Sequence, residues 1–282
     1  MKKVTIGYIF DTFKQDKEEE LFTKLAKEKG VKIIMFSVRD DISEEEIEKK
    51  AKECDIIFNN TAGYMGLEML KTFEEFGKKT VDGSDIYYYS EDKWMFYLKC
   101  KKYKIPTPET ILLSDNANSM KKELKEFNHW PVVLKRVEGE GGDFVQKADN
   151  IKEAVEVIEE FWKKGNQRLP VIAQEFIKSY TYRVMVVGDK IIQNTLRKGH
   201  GWKASTNLSE NMVDKFEVDK DLEKLVEKII KIVKIKICGI DFVKKNGKWV
   251  VLEVNTEPSF QFFENEHKKI INEVLDFIIK QV

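Results

Sequence analysis

The sequence predicts the α/β fold class, with a small parallel-sheet N-terminal domain followed by a longer α+β part. Three observations carry that expectation. Apolar runs of strand length alternate with helical patterns over residues 4–58. Two prolines in three residues, Ile105-Pro106-Thr107-Pro108, force an extended break. From residue 131 onward, β-rich segments succeed one another across turns that carry glycine.

Taken in order, residues 4–9 (VTIGYI) read as a buried strand, and residues 15–29 place Leu21, Phe22, Leu25 and Ala26 at helical spacing. Gly30 follows as the C-cap, and 31–36 (VKIIMF) is the second strand. Ser43 and Glu46 form the S-x-x-E signature of a helix running to about Cys54, before a third strand at 55–58. A helix beginning near Ser90 ends ahead of the prolines, so a boundary is expected near residue 89. Strand 131–136, a glycine turn, strand 143–147 and helix 151–163 make a compact unit. Then come VIAQEF, YRVMVV turning at Gly188-Asp189 into KIIQNTLR, helix 220–234, strands 237–243 and 248–255, and a last helix over 264–280. Three parts follow: 1–89, 90–170 and 171–282.

Composition narrows the function classes. The 282 residues carry 49 basic and 49 acidic side chains, a balance that argues against a protein built to neutralise nucleic-acid phosphates. No nucleic-acid partner is expected. The first apolar run ends at Asp11 without a small-residue cleavage site, so it reads as a strand and not a signal peptide. No stretch approaches the roughly 18 apolar residues of a membrane span, so a soluble chain with no membrane partner is expected. Cys54, Cys100 and Cys238 are sparse and odd in number, which fits a reducing cytoplasm. Together with the scattered His129, His200 and His267 they argue against a zinc site. A homo-oligomer is compatible with all of this and required by none of it.

Three motifs carry chemistry. The first is GIDFVKKNGKWVVLEVNTEPSF, residues 239–260. Strand alternation puts Val251, Glu253 and Asn255 on one face and Val250, Leu252 and Val254 on the other. A strict two-residue turn at Asn246-Gly247 sets Asp241 opposite Leu252, with Glu253 on the wrong face. A three- or five-residue loop with Gly247 at a bulge sets Asp241 opposite Glu253, gathering two carboxylates and an amide oxygen as hard ligands for magnesium. The plain alternative is a surface hairpin with its polar residues outward. Aliphatics dominate both strands, however, and buried carboxylates are costly without a cation.

The second motif is PVVLKRVEGEGGDFV, residues 131–145. Lys135 ends an apolar strand and Gly139, Gly141 and Gly142 open the turn, so a point charge sits beside backbone amides that can approach phosphate oxygens. No helix follows, so this is neither a Walker A loop nor a dinucleotide fingerprint; a simple glycine hairpin is the alternative. The third is Gln174-Glu175-Phe176-Ile177, with Arg183 on the next strand and Arg197 ending the one after it. An extended segment of that kind can read an adenine edge through its backbone. Two inward arginines can hold a phosphate or carboxylate bidentately, or else sit on the surface.

The order of these motifs, with Asp92-Lys93 ahead of a helix and the IPTPET segment, resembles the ATP-grasp superfamily. More closely it is similar to the branch holding the ribosomal-protein-S6 glutamate ligase and the lysine-biosynthesis ligases that act on a carrier protein. The likeness runs through nearly the whole chain and is most specific from Ser90 to Phe260. It implies a pre-ATP-grasp N-terminal domain, a central lid subdomain and a C-terminal ATP-grasp subdomain. It also implies that Lys93 and Lys135 contact the α- and β-phosphates of ATP, and that Gly139, Glu140, Gly141 and Gly142 form a flap. Gln174, Glu175, Phe176 and Ile177 would make the adenine hinge, with Glu175 and Ile177 binding through their backbones. Asp241, Glu253 and Asn255 would hold two magnesium ions, for which manganese can substitute. Asn207 would lie near the phosphates, and Arg197, with Lys135 and Arg183, would serve the transferred phosphoryl group.

The expected activity is ADP-forming carbon–nitrogen ligation. A carboxylate becomes an acyl phosphate and is joined to the amine of a small molecule, a peptide or a carrier-protein tail, with an amino acid such as glutamate as the group attached. The alternatives are a peptide-modifying ligase making ester or amide cross-links and a non-catalytic ATP-binding module. A free-standing dinucleotide domain is disfavoured by the lack of G-x-G-x-x-G near Gly7. The chain departs from the family pattern at the substrate end. Thr181-Tyr182-Arg183 stands where D-x-R is usual, Ser205 and Ser209-Glu210-Asn211 replace basic and glycine positions, and Thr256-Glu257-Pro258-Ser259 replaces S-S-P-G. Lys203 could supply the lost charge, and His200 is the one candidate for a general base.

Overall fold

The computed structural model describes residues 4–12, 15–40, 43–61, 63–139, 142–165, 168–198, 202, 213–257 and 263–282. The N-terminal part alternates β1 (Thr5–Phe10), α1 (Lys17–Glu28), β2 (Lys32–Ser37), α2 (Glu44–Glu53), β3 (Ile56–Asn59), α3 (Tyr64–Glu75) and β4 (Thr80–Val81). The four strands form a parallel sheet in the order β2-β1-β3-β4. All six residues of β1 are buried, as a strand covered on both faces requires. Ser43 Oγ accepts from the Glu46 amide as its spacing predicts. The full reciprocal capping box sits elsewhere, at the start of α1. There Asp16 Oδ1 accepts from the Glu18 and Glu19 amides, and Glu19 Oε2 accepts from the Asp16 amide.

Two helices follow, α4 (Ser84–Ser90) and α5 (Lys93–Lys102), the second started by the Asp92 carboxylate accepting from the Trp94 and Met95 amides. Next come β5 (Thr110–Leu112), α6 (Ala117–Phe127), β6 (Val132–Arg136), β7 (Val145–Ala148), α7 (Ile151–Lys164) and β8 (Val171–Glu175). The strands make an antiparallel sheet ordered β5-β8-β6-β7. Helices α3, α4 and α6 and strands β4 and β5 go beyond the sequence expectation. Helix α6 buries only Met120 and Leu124 along its length, so its apolar stripe is thin.

The third part contains β9 (Thr181–Val187), β10 (Lys190–Arg197), β11 (Val213–Asp214), α8 (Lys220–Val233), β12 (Ile237–Lys245), β13 (Lys248–Asn255) and α9 (Glu264–Lys280). Its sheet is ordered β11-β10-β9-β12-β13 and is antiparallel throughout.

The β12–β13 hairpin corrects one expectation. Its turn has two residues, Asn246 and Gly247, both at positive φ (51° and 77°), the type I′ geometry that follows strand twist. The register shift that sets Asp241 opposite Glu253 comes from a bulge between Val251 and Glu253, where Leu252 is the extra residue, and not from a longer loop. The bulge also moves Val251 off the face of Glu253. Val251 packs in one core with Val254, Ile240 and Phe242.

Packing divides the chain differently from the sheets. Residues of the central sheet and α6 and α7, from Leu113 to Ala173, form a core of their own. The N-terminal sheet instead shares a core with β9, β12 and α9, through Tyr8, Phe22 and Phe58 on one side and Ile270, Val274 and Leu275 on the other. Among the described residues no helix is long and apolar enough to cross a membrane.

Candidate functional site

The central and C-terminal sheets face one another across a cavity of about 350 Å³. From the central sheet, Val133 and Lys135 of β6 reach it together because they lie two apart on one strand face, and Val145 of β7 pairs with Lys135 in register. Gln174 and Glu175, at the end of β8, and Phe176 and Ile177 beyond it form one edge. The Gln174 side chain donates to Thr110 Oγ1 at 3.0 Å, and Glu175 is held by Lys245 at 2.5 Å and by the Glu109 amide at 3.5 Å. The Glu175 and Phe176 amides are engaged as well, donating to the Glu109 and Pro131 carbonyls at 2.8 and 3.4 Å.

The glycine turn reaches the cavity through Gly139 (φ 152°) and Gly142 (φ 76°), backbone conformations that other residues adopt at a cost. Lys93, the first residue of α5, lies beside it, with Nζ 3.0 Å from the Gly139 carbonyl oxygen. Glu140, Gly141 and Asn207, and with them His200, Lys203, Ser205, Ser209, Glu210, Asn211, Pro258 and Ser259, lie outside the described residues.

The C-terminal sheet contributes the charged floor. Glu253, Asp241, Arg183 and Thr195 stand abreast on four neighbouring strands, and Arg197 lies opposite Thr181. Arg183 and Arg197 are buried, so the surface alternative does not hold for either. Arg183 Nε and Nη2 donate to the two carboxylate oxygens of Asp241 at 2.6 and 2.7 Å, and Arg197 Nη1 lies 3.9 Å from Asp241 Oδ2. Asn255 donates its Nδ2 to the Gly239 carbonyl at 3.4 Å, which keeps its Oδ1 as an acceptor. Among the described residues no cluster of three or more His, Cys, Asp and Glu gathers. The oxygen donors that could hold a hard cation here are two carboxylates and one amide, a set that needs further oxygens from a ligand or water.

Residues 90–278 match the family described as the RimK-like ATP-grasp domain, which covers two thirds of the chain. The chain belongs to this family of ATP-grasp ligases. A probable alpha-L-glutamate ligase of Haemophilus influenzae (strain PittEE) is 24% identical over 226 residues, covering 78% of this chain and 74% of the relative. One of Shewanella loihica is 28% identical over 224 residues, covering 77% and 73%. Among solved structures, a RimK domain ATP-grasp protein from Sphaerobacter thermophilus superposes with a TM-score of 0.77 at 18% identity, covering 98% of this chain and 99% of that one.

In this ATP-grasp chain the electrostatics of the cavity follow from burial and neighbours. Burial pulls the Lys135 ammonium below its usual pKa; Glu253 and Asp241 act against that and Lys93 with it. Burial pushes the Asp241 carboxyl upward, but Arg183 and Arg197 beside it prevail and hold it below the usual carboxylate range. Burial lowers Arg197, while Arg183 stays raised through its pairing with Asp241 despite its own burial.

Several lining residues escape sequence reasoning. Val133 is legible from alternation about Lys135, whereas Val145 is placed by the register between β6 and β7. The two-residue turn already directs Leu252 to the Asp241 face, and the bulge adds Glu253 beside it, a pair that alternation alone does not allow. Thr181, in place of the usual aspartate, lines the cavity without a charge, and Glu91, Thr256 and Glu257 line it as well. Thr256 Oγ1 donates to the Glu91 carboxylate, a contact across 165 residues that no local pattern announces.

Proposed function

We propose that the chain is an ADP-forming carboxylate–amine ligase that activates a carboxylate with ATP and joins it to an amine. Glutamate is the first candidate for the amino acid it attaches, because relatives that the chain matches over more than three quarters of its length are named probable alpha-L-glutamate ligases. The observation that carries the reading is the meeting in one cavity of Lys135 and Lys93 from one side with Asp241, Glu253, Asn255 and Arg197 from the other. The domain reading proposed with it is an N-terminal part at 1–89, a lid at 90–170 and a C-terminal part at 171–282.

In this reading Val133, Val145 and Leu252 form the apolar walls for the adenine, and the backbone of Glu175 to Ile177 reads its edge. Lys93 and Lys135 neutralise phosphate charge, and the turn at Gly139 to Gly142 brings amides over the polyphosphate. Arg197 steadies the transferred phosphoryl group and then the oxyanion formed when the amine attacks the acyl phosphate. The donor set of Asp241, Glu253 and Asn255 suits magnesium, or manganese in its place, as two carboxylates leave coordination positions for phosphate oxygens. Such ions would neutralise phosphate charge when bound.

The test is ADP and phosphate release from Mg-ATP with a panel of carboxylates and amines led by glutamate, run beside Glu253→Ala. Release that needs both substrates and falls by about 10²–10³ in the variant supports the ligase. Release of AMP and pyrophosphate overturns the acyl-phosphate route.

A further inference from the structure

We propose that Phe144 is a positioning residue of the glycine turn: its ring, clamped between Arg136 and Phe161, sets where Gly142 and Val145 stand against the polyphosphate. The inference rests on the ligase reading above and adds to it a residue that does not itself line the cavity. Phe144 has φ 51°, in the left-handed region that residues other than glycine rarely adopt. Among the described residues Asp82, Lys104, Asn128, Lys234 and Asn246 share that sign, and each of them is polar. Asn128 and Lys234 cap helices, and Asn246 makes the β12–β13 turn, places where such a backbone is usual. Phe144 alone in this set is apolar and bulky. Such a residue keeps that conformation only where its surroundings over-determine it.

Those surroundings lie on the back of the central sheet. Lys135 and Val145 pair in register and face the cavity, while Leu134 and Phe144 pack against the central core behind them. There the Arg136 guanidinium lies over the Phe144 ring, 4.1 Å from its centroid. Phe161 of α7, itself buried in that core, meets the ring edge-on at 5.6 Å and 84°. The backbone repeats the tie, as the Phe144 carbonyl accepts from the Arg136 amide at 3.1 Å. The two arms of the turn are thus held by different means. Lys93 holds the first, its amide donating to the Val137 carbonyl at 2.8 Å and its Nζ to that of Gly139 at 3.0 Å. Phe144 anchors the second, and the arms come close: a Cβ on Gly139 would stand 3.6 Å from the Asp143 carbonyl oxygen. Loss of an anchor one residue from Val145 and two from Gly142 displaces both. Hydrogen bonds weaken steeply with misalignment, so such a displacement shows first in affinity for the β- and γ-phosphates.

The experiment measures, by titration calorimetry on the full chain with Mg²⁺ present, the affinity for the non-hydrolysable β,γ-imido analogue of ATP. Affinity for AMP, which lacks the β- and γ-phosphates, is read by competition. Phe144→Gly frees the backbone and removes the ring, whereas Phe144→Tyr keeps the ring. Phe144→Gly is expected to bind the analogue about tenfold more weakly than wild type, the worth of one hydrogen bond to a charged group, with AMP affinity unchanged. Phe144→Tyr should match wild type for both nucleotides. A merely structural role for Phe144 would weaken the two nucleotides alike, and that result overturns the proposal. Analogue affinity in Phe144→Gly equal to that of wild type overturns it too. Should Phe144→Gly not fold, Arg136→Gln strips the guanidinium from the ring, and an unchanged ratio of the two affinities in that variant is equally decisive against the proposal. If wild type binds neither nucleotide, the ligase reading falls and this inference with it. Wild-type binding that these substitutions leave untouched sinks this inference alone.

Discussion

Lys135 on the central sheet and Arg183 on the C-terminal sheet are both 8% exposed cations facing one cavity, and they are held in opposite ways. Arg183 makes two charge-assisted hydrogen bonds to Asp241, while Lys135 Nζ finds no hydrogen-bond partner among the described residues. The parts around them differ likewise. The central sheet and its helices enclose a core of their own, whereas the C-terminal sheet shares cores with the N-terminal sheet and with α4 and α5. A side of the cavity with a separate core can shift as a unit, and a buried, unpaired cation on it gains most from closing on an anion. On the other side Arg183 and Asp241 satisfy one another before any ligand arrives.

Four measurements would break or sharpen that contrast. The largest effect is expected for Asp241→Ala, which leaves the Arg183 guanidinium buried and uncompensated. It should lose about 3–5 kcal/mol in denaturant melts together with its activity, and a stable variant would contradict the pairing described here. Next, Leu134→Ala removes a fully buried side chain from the central core and should cost about 2–5 kcal/mol. Hydrogen exchange should quicken in β6, β7, β8 and α7 well before β9 and β12. Equal loss of protection in both sheets would deny the central part its independence.

Third, Lys135→Met should weaken nucleotide binding and leave the free protein as stable as wild type or up to about 1 kcal/mol more so, since a buried ammonium without a partner is replaced by an apolar chain. A marked drop in melting temperature would show that the lysine is paired after all. The smallest effect is the pH dependence of that stability difference. A lysine whose folded pKa lies below its unfolded value of 10.5 penalises the fold fully at pH below the folded value. The penalty fades as pH climbs through the folded pKa toward 10.5, so the advantage of Lys135→Met should shrink on going from pH 7 to pH 10. A constant difference would mean that burial does not move this group.

Much of the fold was legible because it is written locally. The buried run of β1, the helical spacing of Phe22 and Leu25, and the Asp92 cap each act within a few residues, and their apolar periodicity or side-chain oxygen suffices. Helix α6 was less legible because two buried side chains give little periodicity to read. The capping box of α1 was there to read, but an Asp at the cap is less distinctive than the Ser43 signature that drew attention instead. Of the candidate site, the residue types and their order were visible, and thirteen of the residues named from sequence line one cavity.

The sequence by itself determined which side chains are available for phosphate, adenine and metal chemistry, and the strand or turn that carries each. It did so because composition, alternation and glycine placement act over a few bonds. Tertiary structure alone decided which way they face and whom they meet. One extra residue at Leu252 puts Glu253 on the cavity side after a two-residue turn that, unbulged, would have turned it away. The ladder between β9 and β12 sets Arg183 against Asp241 at a separation of 58 residues. Register is a property of paired strands, and a one-residue shift reverses every side chain, so no reading of either strand alone can settle it.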